Sequence, residues 1–150
     1  MEFNQNAYIE SVKGVINEFL KSNVQNIDVV VAFPDITGDG FSLSKPLVYV
    51  EFDRELNVDA RSGRMNGQGK RLKRKILTYS MQIVTTGDNA AVLQRDRIVQ
   101  TITNKVMEQN ALLSGKGVHK AETRYVGSYR VRELVHLARI EFYCEIKFLN

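Results

Sequence analysis

Apolar residues recur at helical spacing over residues 5–22. Tyr8, Ile9, Val12, Val15, Ile16, Phe19 and Leu20 form one stripe, and Glu10, Lys13, Asn17 and Lys21 lie opposite it. The spacing predicts an amphipathic helix, capped by Asn4 or Asn6. Gly14 costs such a helix about 1 kcal/mol relative to Ala, which predicts close packing against a neighbour there. Residues 27–33 (IDVVVAF) are rich in β-branched residues and end at Pro34, so they read as a short strand. Residues 47–58 (LVYVEFDRELNV) read as a second strand, with Glu51, Asp53 and Glu55 on one face. Residues 70–86 (KRLKRKILTYSMQIVTT) read as a longer strand that returns alongside it.

A second helix fits residues 88–110. Thr86 or Asp88 can cap it, and Ala91, Ile98, Ile102, Val106 and Met107 supply its apolar stripe. The run Leu113 to Gly117 marks its end. Residues 119–127 make a modest strand and 131–149 a long final one. Leu134, His136, Ala138, Ile140, Phe142, Cys144, Ile146 and Phe148 fall on one face of that last strand; Arg139, Glu141, Tyr143, Glu145 and Lys147 fall on the other. The predicted order is α-β-β-β-α-β-β in a single domain spanning residues 1–150. The fold class is α+β: a mainly antiparallel sheet of four to five strands, two helices on one face, and a long charged β-hairpin. The other sheet face is expected to be polar and open to solvent or to a subunit interface.

Charge sharpens the hairpin. Positions 61–75 hold Arg61, Arg64, Lys70, Arg71, Lys73, Arg74 and Lys75 and no acid. Three readings follow. The stretch can contact phosphates. It can pair within the chain: a turn near residue 65 sets Glu55 opposite Lys75, Asn57 opposite Lys73 and Asp59 opposite Arg71, each charged pair contributing roughly 0.2–1 kcal/mol. It can also pair with the acidic strand of a neighbouring subunit. No aromatic residues interleave the cations, which disfavours single-strand nucleic-acid binding. The Gly-containing loop 60–69 is expected to be mobile until an assembly orders it. The whole chain is mildly basic, with a net charge of +4 and a pI near 9.2, which permits an acidic partner without demanding one.

Other motifs point away from chemistry. Asp35-Ile36-Thr37-Gly38-Asp39-Gly40 has the flavour of a calcium loop but lacks the third-position ligand and the closing Glu, so it reads as a turn. Gly63 to Lys70 is followed by Arg71 rather than by Ser or Thr and a helix, so it is no phosphate loop. His119 and His136 have no partner at metal-ligand spacing; His119 reads as exposed and His136 as a packed edge residue. Cys144 centres an apolar strand face and reads as an inert buried thiol, and a lone cysteine forms no internal disulfide. These residues predict no catalytic site, no metal and no cofactor. Met1 leads into polar residues without a secretory pattern, and no window is apolar enough for a membrane span.

The layout as a whole resembles the tail terminator proteins of tailed bacteriophages and, more loosely, head-completion and neck proteins. The resemblance rests on an opening amphipathic helix (NAYIESVKGVINEFL), a β-hairpin with a long polar Gly-containing loop, a strand-to-helix segment (IVTTGDNAAVLQRDRIVQTI) and a closing strand (HLARIEFYCEIKF). It implies a structural virion protein in the tail and neck, assembled in the host cytoplasm. Such a protein forms a homo-hexameric ring that caps the tail tube, stops its polymerisation and joins it to the neck. The implied partners are the tail tube protein, a neck or connector protein and, in a contractile tail, the sheath; DNA in the lumen is contacted non-specifically at most. Glu51, Asp53, Glu55 and the seven cations of positions 61–75 are the expected interface residues. The alternatives are a head–tail connector of the same particle and a small basic nucleic-acid-binding module.

Overall fold

The computed structural model describes residues 3–58 and 72–149. Among these the chain is α+β: one open mixed sheet of five strands with three helices, forming a single compact domain. In chain order the elements are α1 (Tyr8–Asn23), β1 (Asp28–Val30), β2 (Leu47–Asn57), β3 (Leu72–Thr86), α2 (Asn89–Glu108), α3 (Asn110–Gly115), β4 (His119–Arg132) and β5 (Val135–Leu149). The sheet order is β1-β2-β3-β5-β4. β1 runs parallel to β2, and every other neighbouring pair is antiparallel. β3 and β5 pair along their full lengths and form the centre of the sheet.

The main core lies between the helices and one sheet face. Val12, Ile16, Phe19 and Leu20 of α1 and Ile98, Ile102 and Val106 of α2 pack onto Leu77, Tyr79, Met81 and Ile83 of β3 and Ala138, Ile140, Phe142, Cys144 and Ile146 of β5. Burying each such large apolar side chain contributes roughly 1.5–3 kcal/mol. Tyr79 is fully buried, and its hydroxyl donates to the Ile9 carbonyl at 2.7 Å, which fixes α1 against the sheet. Asp88 caps α2 by accepting from the Ala90 N–H at 3.2 Å. Thr86 is used elsewhere: its hydroxyl accepts from the Leu43 N–H at 2.9 Å.

Several expectations are corrected. The helical region after β3 is two helices, broken at Gln109, so three helices rather than two cover the sheet. Met107 is 72% exposed, and Arg95 occupies a buried position on α2 instead. α1 starts at Tyr8 behind Ala7, with no side-chain cap. Gly14 is exposed and an added Cβ would meet nothing within 4 Å, so no close approach explains it. The last two strands meet in a tight hairpin whose turn is Glu133-Leu134. Residues 131 and 132 therefore belong to β4, and Leu134 is 53% exposed rather than on the buried face. That turn carries no Gly, Asn or Pro, so its chemistry was silent.

The second face is not uniformly polar either. Residues 31–46 fold over one end of it and bury Ile36, Leu47, Val84 and Val135 in a smaller cluster with Phe33, Phe41 and Leu43. The turn at Asp35 to Gly40 closes this cover. Asp35 Oδ1 accepts from the Thr37 N–H at 3.1 Å and from its hydroxyl at 2.6 Å, and Arg132 donates to Asp39 at 2.6 Å. Gly87 joins β3 to α2 with φ of 133°, a conformation other residues rarely adopt. Its carbonyl accepts from His136 Nε2 at 2.8 Å and its N–H donates to the Leu134 carbonyl at 2.9 Å, tying this joint to the β4–β5 turn. His136 is thus a packed residue of an interior strand rather than of an edge.

Candidate functional site

The half of the second sheet face left open by residues 31–46 is where the charges converge. Antiparallel register lines side chains up in rows across the strands. One row runs Glu51–Ser80–Glu141–Arg124 and the next Arg54–Thr78–Tyr143–Glu122. A bulge at Asp53 sets the register of β2. It places Glu51 and Arg54, three residues apart, on successive rows of the same face.

Two glutamates of β5 anchor this face. Glu141, whose side chain is 9% exposed, accepts from Arg54 at 3.1 Å and from Arg124 at 2.6 Å. Glu145 is paired with Arg74 at 3.3 Å and with Lys120 at 3.2 Å. Each carboxylate therefore holds one cation from either side, and Asp53, paired with Arg54 at 2.6 Å, adds a second acid to the Glu141 group. The Arg124 guanidinium hydrogen-bonded to Glu141 holds its carboxyl below the usual range, against the opposing effect of burial. Arg139 on the same face donates to the Ser80 hydroxyl at 2.9 Å. A cavity of about 360 Å³ opens beside these groups, bordered by Ile76, Lys120, Glu122, Tyr143 and Glu145.

The base of the charged hairpin is held differently. Lys75 donates to Glu55 and, at 3.1 Å, to the Tyr8 hydroxyl, which itself donates to Glu55 at 2.6 Å. The Lys75 ammonium also lies 5.0 Å from the centre of the Tyr8 ring. Hydrogen bonds from Lys75 and Tyr8 lower the Glu55 carboxyl, and Glu55 raises Lys75. This knot ties the first turn of α1 to the hairpin.

The expected interface residues are thus divided among different surroundings. Glu51, Asp53 and Glu55 do not share one face, because the Asp53 bulge turns Glu55 toward α1 while Glu51 stays on the open face. Glu51 is exposed and makes no ion pair among the described residues. Asp53 accepts from its neighbour Arg54 at 2.6 Å. The Glu55–Lys75 ion pair forms, but diagonally: Glu55 lies opposite Leu77, and Asn57, not Glu55, lies opposite Lys75. The register is two residues away from the one expected of a turn near residue 65. Arg74 turns to Glu145 and Lys73 is half-buried. Arg61, Arg64, Lys70 and Arg71, the pairing of Asp59 with Arg71 and the loop 60–69 lie outside the described residues.

Sequence reasoning missed Glu141, Glu145, Arg54, Lys120 and Arg124 as a group. Their positions on one strand face were visible; which cations stand beside which acid depends on the register of three strands. No known protein-family model matches this chain, and no curated protein matches it.

Among the described residues, the groups capable of covalent or acid–base chemistry are poorly placed for it. Burial pushes the Cys144 thiol up to about 12. Cys144 is expected to resist a thiol reagent at pH 8 in the folded protein and to react fully in denaturant; rapid labelling of the native chain in a colorimetric assay would contradict its placement. His119 Nδ1 lies 2.7 Å from the Ser114 hydroxyl, and desolvation lowers the imidazole. No carboxylate ion pair orients that ring among the described residues. A larger cavity of about 540 Å³ between the end of α1 and α2 has Arg97 and Lys105 as its charged groups and contains no acid, histidine or cysteine to act as a base. What the arrangement does offer is an ion-paired sheet face built on Glu141 and Glu145.

Proposed function

We propose that this chain is a structural virion protein of the tail-terminator type, a ring subunit that caps the tail tube, stops its growth and presents a surface to the neck. The observation that carries the reading is a pair of open strand edges of opposite charge: β2 beyond its short pairing with β1, and β4. This part of β2 bears Glu51 and Asp53 against Arg54, Glu55 being held by Lys75 and Tyr8, and β4 bears Lys120, Arg124, Arg130 and Arg132 against Glu122. A closed ring needs such heterologous contacts, in which one patch meets a different patch of the next copy. The α+β layout, with helices on one face and charge on the other, is compatible with a ring subunit.

Light scattering behind a sizing column tests the reading. The expected result is a discrete species near six times 17.1 kDa at low salt, shrinking toward the monomer as salt screens surface charge. A monomer at every salt, together with DNA binding that falls steeply with salt, would overturn it in favour of a basic nucleic-acid-binding module.

A further inference from the structure

We propose that the outer edge of β2 receives β4 of a second copy of this chain, antiparallel and in a register that sets Glu51 beside the partner copy's arginine at position 124 and Arg54 beside its glutamate at position 122. The inference rests on the ring reading only in requiring a second copy; it names the surface through which copies join.

Both edges are open. β1 pairs with β2 only at Leu47, Val48 and Tyr49, so from Val50 to Asn57 no strand lies on the outer side among the described residues. β4 is paired on one side alone. Such edges present unpaired N–H and C=O groups to another chain. The strand directions also agree. β2 opposes β3, β3 opposes β5 and β5 opposes β4. A copy repeated by rotation about an axis along the strands therefore brings β2 against β4 in the antiparallel sense.

The rows then decide the register. Continuing the row Glu51–Ser80–Glu141–Arg124 into the next copy places Glu51 next to Arg124. Continuing the row Arg54–Thr78–Tyr143–Glu122 places Arg54 next to Glu122. Both junctions join opposite charges, and the Asp53 bulge is what brings Glu51 and Arg54 to adjacent rows. Glu51 is exposed and makes no ion pair among the described residues, and the Arg124 side chain is 65% exposed despite its bond to Glu141. The incoming Glu51 meets the exposed side of the Arg124 guanidinium, which Glu141 engages from within the sheet. Two β4 edges meeting about a two-fold axis would instead set a mainly cationic strand against itself, which like-charge repulsion disfavours. Register shifts on both sides of Glu122 to Tyr125 keep the regular part of β4 short. The ladder is accordingly brief, guided by charge and sensitive to salt.

Directly opposed residues on antiparallel strands have Cβ atoms about 4.5–5.5 Å apart, close enough for a disulfide with slight adjustment. Cys144 is buried and contributes little background. Glu51→Cys and Arg124→Cys proteins, mixed under mild oxidation, are expected to form an intermolecular disulfide that neither forms alone. A hexamer-sized species without that bond would overturn this contact and leave the ring reading standing. The bond appearing only in dimers or open chains would support the contact and overturn the ring. A disulfide within Arg124→Cys alone, or a monomer at all concentrations, would overturn the contact. Glu51→Arg gives an independent readout, since it removes no ion pair described within the chain. Its thermal unfolding is expected to match the parent while self-association weakens roughly tenfold or more; unchanged association would refute the proposal.

Discussion

Replacing Tyr79 with Ala is expected to destabilise the fold by about 3–5 kcal/mol. Tyr79 is fully buried on β3, next to the densest pairing of the sheet, and its ring meets Phe52 edge-on at 5.5 Å. Truncation opens a cavity under α1 and removes the hydrogen bond from the Tyr79 hydroxyl to the Ile9 carbonyl. Small domains are stable by only about 5–15 kcal/mol, so the loss is a large share of the total. At this chain length it corresponds to a melting-temperature decrease of roughly 10 °C or more. Tyr79→Phe separates the two contributions: it keeps the packing and loses the hydrogen bond, so a cost near 1 kcal/mol is expected. Urea unfolding of both variants measures the difference. Equal losses would mean that the hydroxyl, not the ring, carries the effect.

Reversing the charge of Glu141 is expected to be nearly as damaging. Glu141→Lys puts a third cation between Arg54 and Arg124 and converts two favourable pairs into repulsions. Breaking a buried pair by removing one partner costs roughly 3–5 kcal/mol; the exposure of both arginines puts this case toward the lower end, because water screens them. Glu141→Gln keeps the shape and removes the charge, so its cost is smaller and its effect is on pH dependence. The folded Glu141 carboxyl sits below its ordinary value of 4.5, chiefly through the Arg124 hydrogen bond. A depressed carboxyl contributes stability that is present above its unfolded value and disappears as pH falls through the lower folded value. The parent protein should therefore lose stability progressively below about pH 5, and Glu141→Gln should lose less over the same interval. Some acid sensitivity should survive, because Glu55 is lowered in the same direction by Lys75. Chemical denaturation at pH 7 and at several acid pH values checks both slopes; parallel curves for parent and Glu141→Gln would show that Glu141 is not part of the acid response.

The central hairpin shows where sequence reading ran out. Its two strands and its charge segregation were legible from alternation and composition. Its register was not: the turn position taken from the middle of the intervening loop misplaced Glu55 and Asn57 by two residues, and beyond them the Asp53 bulge inserts a residue that no propensity announces. The Glu55–Lys75 pair was nevertheless found, since long side chains reach diagonal neighbours as well as direct ones. The closing strands failed in another way. Val131-Arg132-Glu133-Leu134 carries no turn signal, so one long strand was read where a hairpin turn intervenes. That turn is held by the Gly87 N–H bonding to the Leu134 carbonyl, a contact from a distant part of the chain.

Periodicity alone determined that this protein has an amphipathic opening helix, an acidic strand followed by a basic one, a second helix, and a final strand with Cys144 and Phe142 turned to the core. Those features follow from local spacing, because burial of one face imposes a period of 3.6 or 2 on the residues that supply it. The tertiary structure alone decided which charges meet. Sheet order placed β5 inside the sheet and left β4 as an edge. It also set Glu141 and Glu145 between cations from β2, β3 and β4. Such meetings depend on long-range register, which is fixed by the whole core at once and leaves no trace in any short window of sequence.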